Sequence, residues 1–311
     1  MIKPALNTKE MTYYSVPETD LQLPMIIIQG AEVGPTLLIT AGIHGSEYAG
    51  MEACRRFAQE IDSRRLKGKI IILPCVNQPA FQAGTAFLNP LDQKNLNRCF
   101  PGNIEGTVSE KIAYYLEKDF FTAADFYLDL HSGDLPEALS PFVFIPTVGK
   151  TEVVAKAQKM AEVINVPYAV LSQAISGAYN YACKKSIPAL LIERGGFGNC
   201  DEKDVFAFME DIYRILSYLK MMNFSDQLPK EKNWQLLTTV VYEEAQYAGI
   251  WRPNYQVGDQ VVAGAVLGVI ENFFSKEIMC CYAKETGVLL YQWYRYSLPK
   301  GAPLFAYGNQ G

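Results

Sequence analysis

The sequence predicts an α/β domain, built on a largely parallel or mixed sheet with helices on both sides, followed by a small all-β domain. Three observations predict this. Between Pro24 and about Ser217, short apolar, β-branched runs alternate with segments of helical spacing. Beyond about residue 233 the chain breaks into short runs punctuated by Gly, Pro and Asn, with no convincing helix. The length of 311 residues leaves room for two such units at ~150 residues each.

In chain order, MIIIQ (25–29), TLLITAG (36–42), KIIILPCV (69–76), FYLDLHS (126–132), FVFI (142–145) and ALLIER (189–194) read as strands. They are apolar on both alternating faces, as strands covered on both sides must be. Between them, residues 47–61, 109–120, 153–164 and 204–220 repeat apolar positions at helical intervals. The polar stretch MNFSDQLPKEKN (222–233) contains a proline and breaks the pattern, so it reads as a linker between domains 1–225 and 226–311. The runs at 240–254, 256–272, 277–294 and 302–308 then read as short strands of a barrel or sandwich.

Composition excludes several function classes. Hydrophobic residues at 49% and charged residues at 20% describe a globular chain able to build a core. A formal net charge of −5 provides no basic field for a nucleic-acid backbone. The N-terminus MIKPALNTKE lacks an apolar signal-peptide core, and no apolar run approaches the ~18 residues of a membrane span, so a cytoplasmic protein without a membrane partner is expected. The 7 cysteines, odd in number and without C-x-x-C spacing, read as reduced thiols. A homo-oligomer is compatible with all of this.

Chemistry concentrates at strand ends. The chain holds 2 histidines, His44 in AGIHGSE and His131 in LDLHSGD, and both fall where an apolar strand runs into a glycine-containing loop. Open α/β sheets bind ligands outside the carboxyl ends of their strands. The spacing H-x-x-E lets His44 and Glu47 converge from one tight loop, and His131 supplies a third ligand, leaving a coordination position open as catalytic zinc requires. Alone, a histidine in such a turn is commonly a structural hydrogen-bonder. Glu193 ends a third apolar strand; it is either a proton acceptor or the ion-pair partner of Arg194. In KNLNRCFPG, Arg98 and neighbouring Asn97 carry the fork and the amide of a carboxylate clamp, or else lie in a solvated loop.

Taken together, HGSE (44–47), NLNRCFPG (95–102), LDLHSGD (128–134) and ERGG (193–196), in that order, resemble the succinylglutamate desuccinylase/aspartoacylase family, a branch of the carboxypeptidase A-like zinc hydrolases. The resemblance runs from about residue 24 to the C-terminus. It implies a three-layer α/β/α zinc-carboxypeptidase-like domain with a mixed sheet, and a small barrel-sandwich-like C-terminal domain. It also implies one zinc ion per chain held by His44, Glu47 and His131, with Glu193 as general base and acid. Asn97 and Arg98 would then take the carboxylate of a small N-acyl amino acid. Lys284 does not sit in a carrier-lysine motif, so no lipoyl or biotinyl group is expected.

Two positions depart from the pattern. The chain has Thr85-Ala86 where well-known members carry Thr-Arg, and Asn95 where many have aspartate. Arg194 is therefore expected to supply the missing positive charge to the substrate. The same motifs would serve a carboxypeptidase acting on short peptides, and Ala86 keeps open a non-catalytic binding protein with a decayed site. GGFGN (195–199) resembles a phosphate-cradling turn, but G-x-G-x-x-G fails at Asp201, which argues against a nucleotide site.

Overall fold

A computed structural model describes residues 5–223 and 234–311. The boundary expected between residues 225 and 226 lies outside the described residues, as does most of the expected linker.

The first unit contains β1 (Thr8–Ser15), β2 (Gln22–Gln29), β3 (Glu32–Ala41), α1 (Tyr48–Glu60), β4 (Lys67–Leu73), α2 (Gln78–Ala83), α3 (Val108–Tyr115), β5 (Phe126–His131), β6 (Glu137–Leu139), β7 (Phe142–Pro146), α4 (Thr151–Ala161), β8 (Tyr168–Ser172), α5 (Ala178–Lys184), β9 (Ala189–Glu193) and α6 (Glu202–Tyr218). Among the described residues its sheet has nine strands, ordered β1-β2-β4-β3-β5-β9-β7-β8-β10, where β10 is Gln235–Leu237. The central pairs β4/β3, β3/β5 and β5/β9 are parallel, whereas β1/β2, β2/β4 and β7/β9 are antiparallel, so the sheet is mixed as expected.

Both faces are covered, which is why the strand sequences show continuous apolar runs instead of alternation. On one face Leu37, Ile39, Leu128, Leu130, Leu190 and Ile192 pack with residues of α1, α4 and α6. On the other, Leu38, Ile71, Tyr127, Ala189 and Leu191 pack with residues of α3 and α5. The period of two along each strand thus assigns every side chain to one of two cores. The four helices expected from spacing are present as α1, α3, α4 and α6. The shorter α2 and α5, and strands β1 and β8, were not expected from the sequence pattern. β1 is an edge strand of mixed exposure, and a seven-residue helix such as α5 is too short to show a period.

After β10 the chain is all β: β11 (Thr239–Glu244), β12 (Gly249–Pro253), β13 (Gln260–Val261), β14 (Val266–Glu271), β15 (Glu277–Tyr282), β16 (Gly287–Trp293), β17 (Ser297–Leu298) and β18 (Pro303–Asn309). The sheets β11-β18-β16-β13 and β15-β14-β12-β17 enclose a core of Trp251, Val261, Leu267, Ile270, Leu289, Phe305 and Tyr307. Two strand pairings stitch this part to the α/β part. β10 adds to β8 in parallel, and β6 joins β16 antiparallel, with Trp293 opposite Glu137. All seven cysteines are free thiols, and no described helix is long and apolar enough to cross a membrane.

The α1–α6 side of the core depends on Phe57, which is fully buried and meets Tyr213 edge-on at 5.1 Å. Phe57→Ala should cost about 3–5 kcal/mol of unfolding free energy, read from urea denaturation.

Candidate functional site

His44 and Glu47 leave β3 on the turn that opens α1. Gly45 makes this turn possible: a Cβ there would lie 2.2 Å from the backbone of Ala80 in α2. Glu47 is the N-cap residue of α1, but its side chain makes no capping bond, so the carboxylate is available to the site. His131 ends β5, and the parallel register sets it directly opposite Glu193 at the end of β9. Because Tyr127, Asp129 and His131 share one face of β5, Asp129 sits immediately behind the histidine.

The three sequence-derived ligands converge. One donor atom each from His44, Glu47 and His131 lies within 4.8 Å of the others, and all three residues are buried. His44 Nδ1 is 2.6 Å from Glu47 Oε1, and His131 Nδ1 is 3.0 Å from Glu47 Oε2. The second contact is misaligned for a hydrogen bond, leaving Glu47 Oε2 buried without a hydrogen-bond partner among the described residues. Each imidazole is backed on its far side: His44 Nε2 lies 3.1 Å from Asn95 Oδ1, and His131 Nε2 lies 3.2 Å from Asp129 Oδ2. Acceptors behind Nε2 favour the proton there and turn the Nδ1 lone pairs inward. Asp129 is itself held by a hydrogen bond from the Thr40 hydroxyl at 2.7 Å. Two imidazole nitrogens and a carboxylate oxygen, buried and facing one point, fit a divalent metal ion.

Without a cation the charges are strongly perturbed. Burial pushes Glu47 up, but the two histidines outweigh it and hold the carboxyl at about 2. Burial lowers both histidines, and Glu47 reverses this and raises them. Glu193 goes the other way: burial, opposed by His131 but reinforced by Glu47, Glu137 and Asp129, lifts it well above the carboxylate range. Its Oε2 has no hydrogen-bond partner among the described residues. Glu193 is not paired with Arg194.

Arg194 is the one expected substrate residue that the structure does not bring to the site. It follows Glu193 directly and therefore faces the opposite side of the sheet. There its Nε donates to Asp211 Oδ2 of α6 at 2.7 Å, Nη2 is in ion-pair contact with the same oxygen at 2.7 Å, and Nη2 donates to the Asn165 carbonyl at 2.7 Å. This corrects the expectation that Arg194 compensates for Ala86. The Asn97 Oδ1 accepts from the Ala178 backbone N–H at 2.9 Å, tying its loop to the start of α5. Arg98 is exposed, and its positive charge acts on Tyr179, Tyr242 and Tyr291.

Other residues at the site escaped the sequence reading. Asp134 binds the Leu135 backbone N–H at 2.7 Å, the Ser46 hydroxyl, and the Phe87 backbone N–H at 2.6 Å, which fastens the loop carrying Ala86. Burial, with the charge of Glu47, lifts Asp134 to about 6. Glu137, on β6, is lifted to about 7, first by burial and then by Asp134 and Glu47. Tyr291 of β16 has its pKa raised by burial and then by the charge of Glu137. A period-two reading of LDLH could have found Asp129. Glu137 and Tyr291 reach the site through the non-local β6/β16 pairing, for which the sequence carries no local signal.

An α/β protein with a buried His-Glu-His group at the carboxyl ends of its central strands carries a donor set that could hold a metal ion. Comparison with known proteins makes this specific. Residues 33–219 match the succinylglutamate desuccinylase/aspartoacylase catalytic domain, and the chain belongs to that family. It is 29% identical over 252 residues to the N-alpha-acetyl-L-2,4-diaminobutyric acid deacetylase of Halomonas elongata, covering 79% of this chain and 73% of that protein. Among solved structures, a succinylglutamate desuccinylase/aspartoacylase from Rhodobacter sphaeroides shares the fold with a TM-score of 0.85 at 22% identity, covering 97% of this chain and 95% of that one. The product-bound ectoine utilization protein EutE (DoeB) from Ruegeria pomeroyi gives 0.84 at 25% identity, covering 96% and 93%.

The elevated Glu137 has a consequence for stability. Between about 4.5 and about 7 the unfolded chain has released this proton while the folded chain still holds it, so rising pH through that window disfavours the folded state. Metal-free Glu137→Gln should match wild type near pH 4 in urea denaturation and exceed it at pH 8.

Proposed function

We propose that the protein is a zinc-dependent amidohydrolase that removes the acyl group from a small N-acylated amino acid. His44, Glu47 and His131 would hold one zinc ion, within a hydrolase domain spanning residues 1–225. A β-rich domain, 226–311, completes the chain. The observation that carries the reading is the β5/β9 register, which sets Glu193, with one oxygen unpartnered, beside His131 of the metal group. The Halomonas elongata deacetylase, whose name specifies an N-acetylated diamino acid, supports the acyl-amino acid class.

Zinc held there would supply Lewis acidity, polarising a carbonyl and lowering the pKa of a water to about 7. The chain's own groups do the rest. Glu193 accepts the proton of the attacking water and returns it to the departing nitrogen, two roles that suit a carboxylate made more basic by desolvation. Asp129 and Asn95 orient the two imidazoles. Arg98, exposed beside Asn97, offers a planar fork to the substrate carboxylate. Tyr291 keeps its proton to high pH and is a hydrogen-bond donor on the side formed by the β-rich part.

Two measurements test this reading. After zinc loading and desalting, wild type should retain about one equivalent and His131→Ala close to none by elemental analysis. Glu193→Gln should keep the zinc and lose at least ~100-fold in kcat on an N-acetyl amino acid that wild type cleaves; undiminished turnover would remove Glu193 from its role.

A further inference from the structure

α2 and the loop that follows it set two aromatic rings against the turn that carries His44 and Glu47, and the reaction proposed above uses neither. Phe81 meets Tyr48 edge-on at 6.0 Å, and Phe87 meets His44 edge-on at 6.3 Å. The two rings thus bracket residues 44–48. Gly45 permits this approach, since a Cβ there would also stand 2.4 Å from the Phe81 backbone nitrogen.

Phe87 is the more constrained of the two. Its φ of 55° lies in the left-handed region, an outlying conformation for a bulky side chain that persists only where the surroundings impose it. Three contacts impose it here. The Phe87 N–H donates to Asp134 Oδ2 at 2.6 Å, the ring packs against the core of the β-rich part, and the Thr85 hydroxyl closes the loop on the Leu88 carbonyl at 3.0 Å. Asp134 Oδ1 accepts in turn from the hydroxyl of Ser46, the residue just before Glu47. One carboxylate therefore fixes the ring relative to the metal turn. With His44 and the β-rich core both against it, the ring still keeps part of its surface open.

The surroundings decide what that open surface can receive. Residues 81–91 include no charged side chain, and Leu88, next to Phe87, is exposed. Asp134 is already engaged by the Ser46 hydroxyl and by the backbone N–H groups of Leu135 and Phe87. A charged substituent laid on Phe87 would lose water and gain no partner from this loop. An apolar one would remove its own surface and that of the ring from water together.

We propose that Phe87 is a specificity-determining residue, and that the preferred N-acyl amino acid carries a bulky apolar group, aromatic or branched, beside the scissile amide. This rests on the deacylase reading of the metal site. The group belongs beside that amide because the ring borders His44 of the metal group, where the reacting carbonyl must come. It can reach the ring as the acyl group or as the amino acid side chain, and the same wall serves both.

The test uses zinc-loaded wild type, Phe87→Gly and Phe87→Leu. Glycine removes the ring at a backbone angle it adopts without strain, so this variant should fold. Two substrate pairs separate the two sides of the amide: N-acetyl-L-phenylalanine against N-acetyl-L-alanine, and N-benzoylglycine against N-acetylglycine. In at least one pair wild type should favour the bulkier member at least ~10-fold in kcat/KM. Phe87→Gly should reduce that preference about 10-fold, mainly through KM, and Phe87→Leu should keep part of it, with zinc content near one equivalent in all three. Wild-type ratios near one in both pairs overturn the proposal. So do ratios unchanged in Phe87→Gly, whether zinc is kept or lost, and zinc loss alone would assign the ring to supporting His44. Calorimetric binding of L-phenylalanine against L-alanine, and of benzoate against acetate, separates this question from the reaction. If none of the four amides is cleaved, the deacylase reading falls. A binding preference for the bulkier partner that Phe87→Gly abolishes still upholds the apolar wall, and equal or absent binding in both pairs rejects it.

Discussion

The site depends on one constraint: a sheet covered on both faces can place charged groups only where its strands end. The parallel pairing of β5 with β9 brings His131 and Glu193 to that edge side by side, and the pairing of β3 with β5 sets Thr40 against Asp129 one step deeper. Period two then puts Tyr127, Asp129 and His131 on a single face. A slip of one residue would exchange every side chain with the opposite core, replacing histidine and carboxylates by leucines and isoleucines. The apolar packing that fixes the register is therefore also what fixes the chemistry. The loop glycine at 45 matters for the same reason, since it lets His44 and Glu47 reach the same edge from β3.

The electrostatics follow from that placement. Glu47, Asp129, Asp134, Glu137 and Glu193 crowd around two imidazoles in a medium where unscreened charges interact strongly. The outcome is a divided set: Glu47 is held ionised by its histidines, while Asp134, Glu137 and Glu193 are driven toward their neutral forms. A cation bound between Glu47 and the histidines reverses much of this balance, because ligands must shed their protons to bind it. The site as built is thus poised for positive charge.

How much of this was legible in the sequence depended on how local each signal was. His44, Glu47, His131 and Glu193 all sit at the last residues of apolar runs or just beyond them, and the alternation of strands and helices placed those ends together. Arg194 was misread because adjacency in sequence was taken for adjacency in space; in a strand the next residue faces away, here toward Asp211. The motif singles out Asn97 and Arg98 as a carboxylate clamp, but a loop sequence does not reveal that Asn97 Oδ1 is occupied by the Ala178 N–H. Asp134, Glu137 and Tyr291 could not be assigned, since their positions come from contacts between segments more than a hundred residues apart or from turns without a recognisable motif.

The β6/β16 pairing separates two kinds of support. Groups suited to breaking a bond project from the long, doubly covered sheet, where any change disturbs a close-packed core. Glu137 rides on a three-residue strand clasped by the other β-sheet and by a glycine-rich turn. Substitutions in the turn from Asp134 to Glu137 reach the reactive edge as well, because Asp134 holds the Ser46 hydroxyl and the Phe87 backbone N–H.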